Sequence, residues 1–234
     1  MAAFHTRDKP WQTLYKIMIG SIVPRPIAFV ASRSAAGHVN LAPFSYFNGV
    51  SYNPPTVAFS VIDRGEEMKD TSRNISEHPE FIVHIVSAPI AEQMNVTCGD
   101  YGADIDEFVE AGLTALPGVV VDVPRVAEAL VAFECRLAHF LRIGDSAPRA
   151  SHILGEVVYW HIDDGLLDEA ARNPIDAAVL EAVGRMGGID YARTTDRFSM
   201  VRPLIAPEDP RSIPSRNAAS ATARVPLKVP RARK

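Results

Sequence analysis

The sequence predicts a mainly β fold, an antiparallel barrel with flanking helices packed outside it. Three observations point there. Runs that read as strands outnumber runs that read as helices. The strands follow one another too closely for regular strand–helix–strand crossovers. No GxGxxG follows a strand and no GxxxxGK[ST] occurs, so neither a Rossmann half nor a P-loop is indicated. The chain has 234 residues, 47% of them apolar, enough for a packed core in one domain with extensions or in two small ones.

Residues 1–10 carry no pattern and read as an arm. Trp11, Leu14, Tyr15 and Met18 recur at i, i+3, i+4 and i+7, which predicts a helix over 11–19 ended by Gly20. Residues 26–32 are apolar and partly β-branched, a buried strand, and 34–38 are small and Gly-containing, a turn. The strand returns over 39–47. Pro43 cannot donate to a ladder, so this strand is an edge, carries a bulge or breaks. Further strands are expected at 56–62 and 81–86, flanking a polar turn at 63–67 and a helix over 69–78 stopped by Pro79. Helices follow at 88–95 and 104–111, the second with Gly112 at its end, then a short β run at 118–121. A long strand over 130–143 pairs with 152–162. A charged loop at 165–176 leads to a last helix at 177–183. After Pro203 the pattern fails, and Pro207, Pro210, Pro214, Pro226 and Pro230 lie among Arg, Ser and Ala. Residues 1–206 are therefore expected to form the barrel domain, and 207–234 a tail, disordered or draped over a partner subunit.

Charge is uneven. Residues 207–234 hold seven Lys or Arg against two acids, while residues 1–206 balance to −9. An acidic body argues against nucleic acid as the main partner. The two cysteines, Cys98 and Cys135, form no CxxC pair, which speaks against a zinc cluster or redox disulfide and for a cytoplasmic protein with free thiols. No apolar run approaches the ~20 residues of a membrane helix, and no signal peptide is visible.

Several residues are candidates for chemistry. Lys69, Asp70 and Thr71 open a helix, where unpaired N–H groups favour an anion; either they bind one, or Asp70 or Thr71 simply caps the helix. Ser32 and Arg33 end the first strand, and Arg33 is either a phosphate ligand or a solvated turn residue. Around Pro43, the stretch Ala42, Phe44, Ser45, Tyr46, Phe47 and Asn48 mixes aromatic faces with hydrogen-bonding groups, a pattern suited to a planar ligand with polar edges. Alternation puts Phe44 and Tyr46 on one face and Ser45 and Phe47 on the other, so some of these belong to the core. Asn40 either contacts the ligand or satisfies the turn. Arg25, stiffened by Pro24 and Pro26, is either an anion contact or half of a buried ion pair at the start of the strand. No Ser/His/Asp set, paired-carboxylate site or metal-ligand cluster emerges.

Arg25-Pro26-Ile27-Ala28-Phe29-Val30, Asn40-Leu41-Ala42-Pro43-Phe44-Ser45-Tyr46-Phe47-Asn48, Asn53-Pro54-Pro55, Lys69-Asp70-Thr71, Asp106-Glu107-Phe108, Ala111-Gly112-Leu113, Leu154-Gly155-Glu156-Val157 and Arg185-Met186-Gly187-Gly188 occur in this order. Together they resemble the flavin reductase-like family over roughly residues 11–203. The resemblance implies an FMN-binding split β-barrel, antiparallel and of Greek-key type, with FMN, or alternatively FAD, as cofactor. It places the flavin phosphate on the 69–71 segment and the ring on main-chain and side-chain groups of 42–48. It places His152 near a stacking nicotinamide, and Arg185 and Tyr191 over the site or at a subunit interface. The implied activity is NAD(P)H-dependent flavin reduction by a homodimer. The alternatives are the reductase component of a two-component monooxygenase, and an electron carrier or redox sensor that turns over no NAD(P)H. The basic tail is foreign to the family pattern.

Overall fold

A computed structural model of the chain describes residues 1–171 and 173–200. Residues Met1–Asp196 form one compact unit, and residues 197–200, which fall outside it, carry no regular secondary structure. The boundary expected at 206/207 and the basic tail lie outside the described residues.

The compact unit is built on a seven-stranded sheet. Its strands are β1 (Ala28–Arg33), β2 (Val39–Phe44), β3 (Phe47–Tyr52), β4 (Pro55–Ile62) and β5 (Glu80–Ile85), with the long β8 (Val131–Ile143) and β9 (Ala150–Ile162). Two-residue strands β6 (Ala115–Leu116) and β7 (Arg125–Val126) pair apart from it, as do β10 (Val183–Arg185) and β11 (Tyr191–Arg193). The large sheet runs β2-β1-β5-β8-β9-β4-β3, antiparallel throughout. Its two edge strands, β2 and β3, are consecutive in the chain and separated only by Ser45 and Tyr46. The sheet must therefore curl until its edges approach, which makes it a barrel. The Ser60 N–H donates to the Tyr46 carbonyl at 2.9 Å and ties that corner.

The corner revises the expected strand over 39–47. It ends at Phe44, and a separate strand begins at Phe47 on the opposite edge. Pro43, in register with Phe29 of β1, lies on an edge strand where a missing donor is tolerated.

Both faces of the sheet are buried over β1, whose residues 28–32 are all inaccessible; hence its unbroken apolar run. Inside the barrel, Phe59 stacks on Phe44 at 5.6 Å and meets the edge of Phe81 at 5.7 Å. Gly155 of β9 makes room for Phe81: a Cβ there would stand 2.3 Å from its ring. Against the outer face pack Met94 of α3 (Ala91–Val96) and Phe108 of α4 (Glu107–Glu110), together with Phe29 and Leu41. Burying each of these large side chains contributes about 1.5–3 kcal/mol.

Helix α1 (Trp11–Ser21) runs past Gly20, which is not a stop but a point of close approach: a Cβ on Gly187 would lie 3.3 Å from the Gly20 Cα. Helix α2 (Asp70–Glu77) packs on β1 and β2, with Ile75 in the barrel interior. The helix expected over 104–111 shortens to α4, opened by Asp106 accepting from the Phe108 N–H and ended at Gly112, φ +62°. The last helix, α5 (Ala177–Leu180), gives way to the β10–β11 pair.

The 118–121 run is not a strand. The N–H groups of Val119, Val120 and Val121 donate to the Glu134 carboxylate at 2.7, 2.7 and 3.0 Å, so a buried side chain replaces the neighbouring strand as acceptor. His161 Nε2 lies 2.6 Å from the same carboxylate. Burial works to raise the Glu134 pKa, but the Val119, His161, Val120 and Val121 hydrogen bonds outweigh it and hold the carboxyl below its ordinary range.

Candidate functional site

The free edge of β2 founds the site. Residues of an edge strand turn their backbone groups alternately toward and away from the neighbour. The Leu41 N–H turns away from β1 and donates to Glu107 Oε2 at 3.1 Å. Pro43, two residues on, turns the same way, so its carbonyl faces outward and its absent N–H leaves no bond unmade. The groups beside Pro43 are thus free because β2 is an edge, not because a proline interrupts a ladder.

A cavity of about 580 Å³ runs along this edge, within the range of small-molecule sites. Asn40, Ala42, Pro43, Phe44 and Ser45 form its floor. The start of α2 forms one wall, with Lys69, Asp70 and Thr71. Met94, residues 97–103 and Glu107 form another, and Tyr15, Arg185 and Tyr191 also line it.

The α2 wall presents hydrogen-bond donors to the cavity. Lys69 is the N-cap residue, and its side chain makes no capping hydrogen bond. Asp70 pairs instead with Arg73. Thr71 is 1% exposed, and its Oγ1 accepts from Asn40 Nδ2 at 2.9 Å, which leaves its hydroxyl hydrogen free to donate. Asn74 Nδ2 donates to Ser32 Oγ at 3.2 Å and pins the helix to β1. The first-turn N–H groups, the positive end of the helix dipole, the Lys69 ammonium and the Thr71 hydroxyl are therefore brought together.

Eight of the sequence candidates line the cavity: Asn40, Ala42, Pro43, Phe44, Ser45, Lys69, Asp70 and Thr71. Phe44 gives its ring to the barrel core. Tyr46 lines an adjoining cavity of about 160 Å³ with Ser60 and Ile62, where burial first, and Tyr15 second, push its pKa up against Arg25. Phe47 and Asn48 open β3 opposite Phe59 and Ala58 and line neither cavity. Ser32 is sealed beneath α2. Arg33 donates to the carbonyls of Asp122 and Gly37. His152 Nδ1 lies 2.8 Å from Ser60 Oγ and meets the smaller cavity only through that serine.

Among the described residues Arg25 has no ion-pair partner, and it is part of neither cavity wall. It is 4% exposed, and its guanidinium donates to the carbonyls of Ile19 (2.5 Å), Ile22 (2.7 Å) and Met186 (2.9 Å) and to Ser45 Oγ (3.3 Å). It fastens the end of α1 and the segment after β10 to the β2 corner. Arg25→Met leaves these carbonyls without donors and is expected to cost about 2–3 kcal/mol. Urea unfolding checks this; a loss under about 1 kcal/mol would contradict the role.

Sequence reasoning missed the 97–103 loop, Tyr15, Met94 and Glu107. Gly99 and Gly102 mark the loop as irregular, but nothing local ties it to β2. Arg64 pairs with Asp100 across the wall. Arg185 lies 4.4 Å over the Tyr191 ring, and Tyr191 donates to Asn95 Oδ1 at 3.1 Å, so both fall on the cavity side. Burial pushes the Cys98 thiol up against the pull of Arg185 and Lys69, which makes it a poor nucleophile. Among the described residues no cluster of three His, Cys, Asp or Glu is placed to hold a metal ion.

The sequence model of the flavin reductase like domain family matches residues 19–178. The structure of nitrilotriacetate monooxygenase component B from Bacillus cereus is similar to this one, with a TM-score of 0.82 and 35% identity over 86% of this chain and 98% of that one. The 2-nitrobenzoate 2-nitroreductase of Pseudomonas fluorescens follows, with a TM-score of 0.77 and 32% identity over 89% of this chain and 100% of that one. An uncharacterized protein of Deinococcus radiodurans is 40% identical over 200 residues, 82% of this chain and 86% of its own length. An antiparallel barrel whose open edge meets an uncapped helix start, matched along most of its length to these proteins, belongs to the flavin reductase-like family of split-barrel oxidoreductases.

Proposed function

We propose that the protein is an FMN-dependent flavin reductase that takes hydride from NAD(P)H. The observation that carries this reading is the uncapped start of α2 on the wall of a cavity laid along a strand edge. The residues fit FMN. Lys69, Thr71 and the first-turn N–H groups would hold its phosphate, and the outward carbonyl of Pro43 and the polar groups of Ser45 would meet the edge of its planar ring. The redox chemistry, acceptance of a hydride equivalent from the nicotinamide, would be supplied by the bound flavin. The chain's own part is to bind, orient and screen; of the acids that line the cavity, Asp70 pairs with Arg73 and Asp100 with Arg64, while Glu107 has no cationic partner among the described residues. The smaller cavity, walled by Tyr15, Pro43, Tyr46 and Ser60, adjoins the proposed ring position and is open to a second planar molecule, with His152 behind Ser60.

A second reading is favoured by one observation. The similar Bacillus cereus protein is a monooxygenase component B, so this chain would pass its electrons to a separate oxygenase. We also infer a homodimer. Helix α1 buries none of its residues and shows Trp11, Tyr15, Ile17 and Met18 to solvent, as β3 shows Val50 and Tyr52. Such a face seeks a partner. Two free cysteines fit a cytoplasmic location, and no described helix is long and apolar enough to cross a membrane.

One purification tests the set. The protein is expected to run at twice 25.5 kDa by light scattering and to bind FMN with a shifted visible spectrum. Anaerobic NADH or NADPH is expected to bleach that spectrum. Bleaching only by a protein donor would favour the carrier instead.

A further inference from the structure

Glu107 is the buried acid of the cavity wall. It is 8% exposed, yet it is the first residue of a four-residue helix and its side chain reaches the β2 edge. Oε2 accepts from the Leu41 N–H at 3.1 Å. Among the described residues no Lys, Arg or His lies within 4 Å of the carboxylate. Burial pushes its pKa up, against the pull of the Leu41 N–H and its own. These two N–H groups leave acceptor capacity on the carboxylate unused, and since neither oxygen is sealed away without a partner, that capacity opens on the cavity. If the Leu41 N–H were all that had to be met, a neutral glutamine would serve.

Its place along β2 tells which donors are missing. The residue before Leu41 is Asn40, bonded to Thr71 at the phosphate end of the cavity. The residues after it, Ala42 to Ser45, lead to the ring end. Glu107 thus stands midway, where the linker between a phosphate and a planar head must pass. A linker that carries hydroxyl groups brings the donors that the carboxylate lacks.

We propose that Glu107 is a positioning residue that reads a polyol linker, its carboxylate accepting hydrogen bonds from the linker's hydroxyls. This rests on the flavin reading above, and the ligand class is a polyhydroxylated chain between ring and phosphate. No bond is made or broken at Glu107.

The test compares three isoalloxazines by fluorescence titration of the full chain: riboflavin, an N10-pentyl analogue that keeps the chain but lacks its hydroxyls, and lumiflavin, which has no chain. Wild type is expected to bind riboflavin about tenfold more tightly than the pentyl analogue, as a hydrogen bond to a charged group allows. Glu107→Gln keeps an acceptor for Leu41 and is expected to erase most of that preference while leaving lumiflavin binding unchanged. Equal affinity of wild type for riboflavin and the pentyl analogue would overturn the proposal, whether or not the variant folds. So would an equal loss for all three ligands in Glu107→Gln, which marks a purely structural acid. A wild type that binds none of the three, nor FMN, would instead overturn the flavin reading, and this inference with it.

Discussion

Replacing Lys69 and Thr71 together with alanine is expected to weaken FMN binding at least about tenfold while leaving riboflavin binding nearly unchanged. The asymmetry follows from where the two side chains stand. Lys69 is the N-cap of α2 and Thr71 lies in its first turn, beside an Asn40 that accepts nothing from it and instead donates to it. The pair removes one ammonium and one hydroxyl donor, each a charge-assisted bond to phosphate of about 1.5–3 kcal/mol. The helix N–H groups remain, so binding weakens rather than vanishes. Riboflavin has no phosphate and should not register the change. Isothermal titration of both ligands on both proteins checks this. Equal losses for FMN and riboflavin would show that the substitutions deform the cavity, and no loss for FMN would remove the phosphate from α2.

Acid is expected to destabilise the fold through His84. This histidine is fully buried on β5. The Val126 N–H donates to its Nε2 at 2.9 Å, so Nδ1 carries the proton and donates to the Phe29 carbonyl at 2.8 Å. Both ring nitrogens are satisfied only in the neutral form. Burial, with Arg125 and His161 adding to it against the pull of the Phe29 carbonyl, lowers the His84 pKa to about 4. The unfolded chain takes up this proton near pH 6.5. Stability from His84 is therefore fully present above about pH 6.5 and is lost as pH falls toward 4. The loss amounts to roughly 3 kcal/mol at ~1.4 kcal/mol per unit of pKa. His84→Leu should be less stable at pH 7, because it strands the Phe29 carbonyl and the Val126 N–H, yet it should lose less on acidification. Urea midpoints of both proteins at pH 7 and pH 4.5 decide this, with the carboxylates contributing alike to each. Parallel losses would clear His84 of the role.

The parts of the site that were legible in the sequence are those set by local chemistry. A proline without a donor marked β2 as an irregular edge. The Lys69-Asp70-Thr71 run marked a helix start whose N–H groups need an acceptor. What stayed hidden depends on contacts far apart in the chain. Glu107 meets Leu41 across 66 positions, and Arg25 meets Met186 across 161. The valines at 118–121 read as a strand because their partner, the Glu134 carboxylate, supplies from a side chain what a strand supplies from its backbone. The corner at Ser45 and Tyr46 sends the chain from one sheet edge to the other, which alternation over 39–47 does not reveal. Ser32, Arg33 and Asn48 have the right chemistry for a ligand, but tertiary packing turns each to another use or away from the cavity.

The central claim is that FMN lies along the open edge of β2 with its phosphate against the first turn of α2. A crystal structure of the full chain grown with FMN tests it most directly. The account predicts density for the ring beside Pro43 and Ser45, and for the phosphate within hydrogen-bond distance of Thr71 Oγ1. Density for the flavin elsewhere, or a cavity filled by the chain's own side chains, would contradict it.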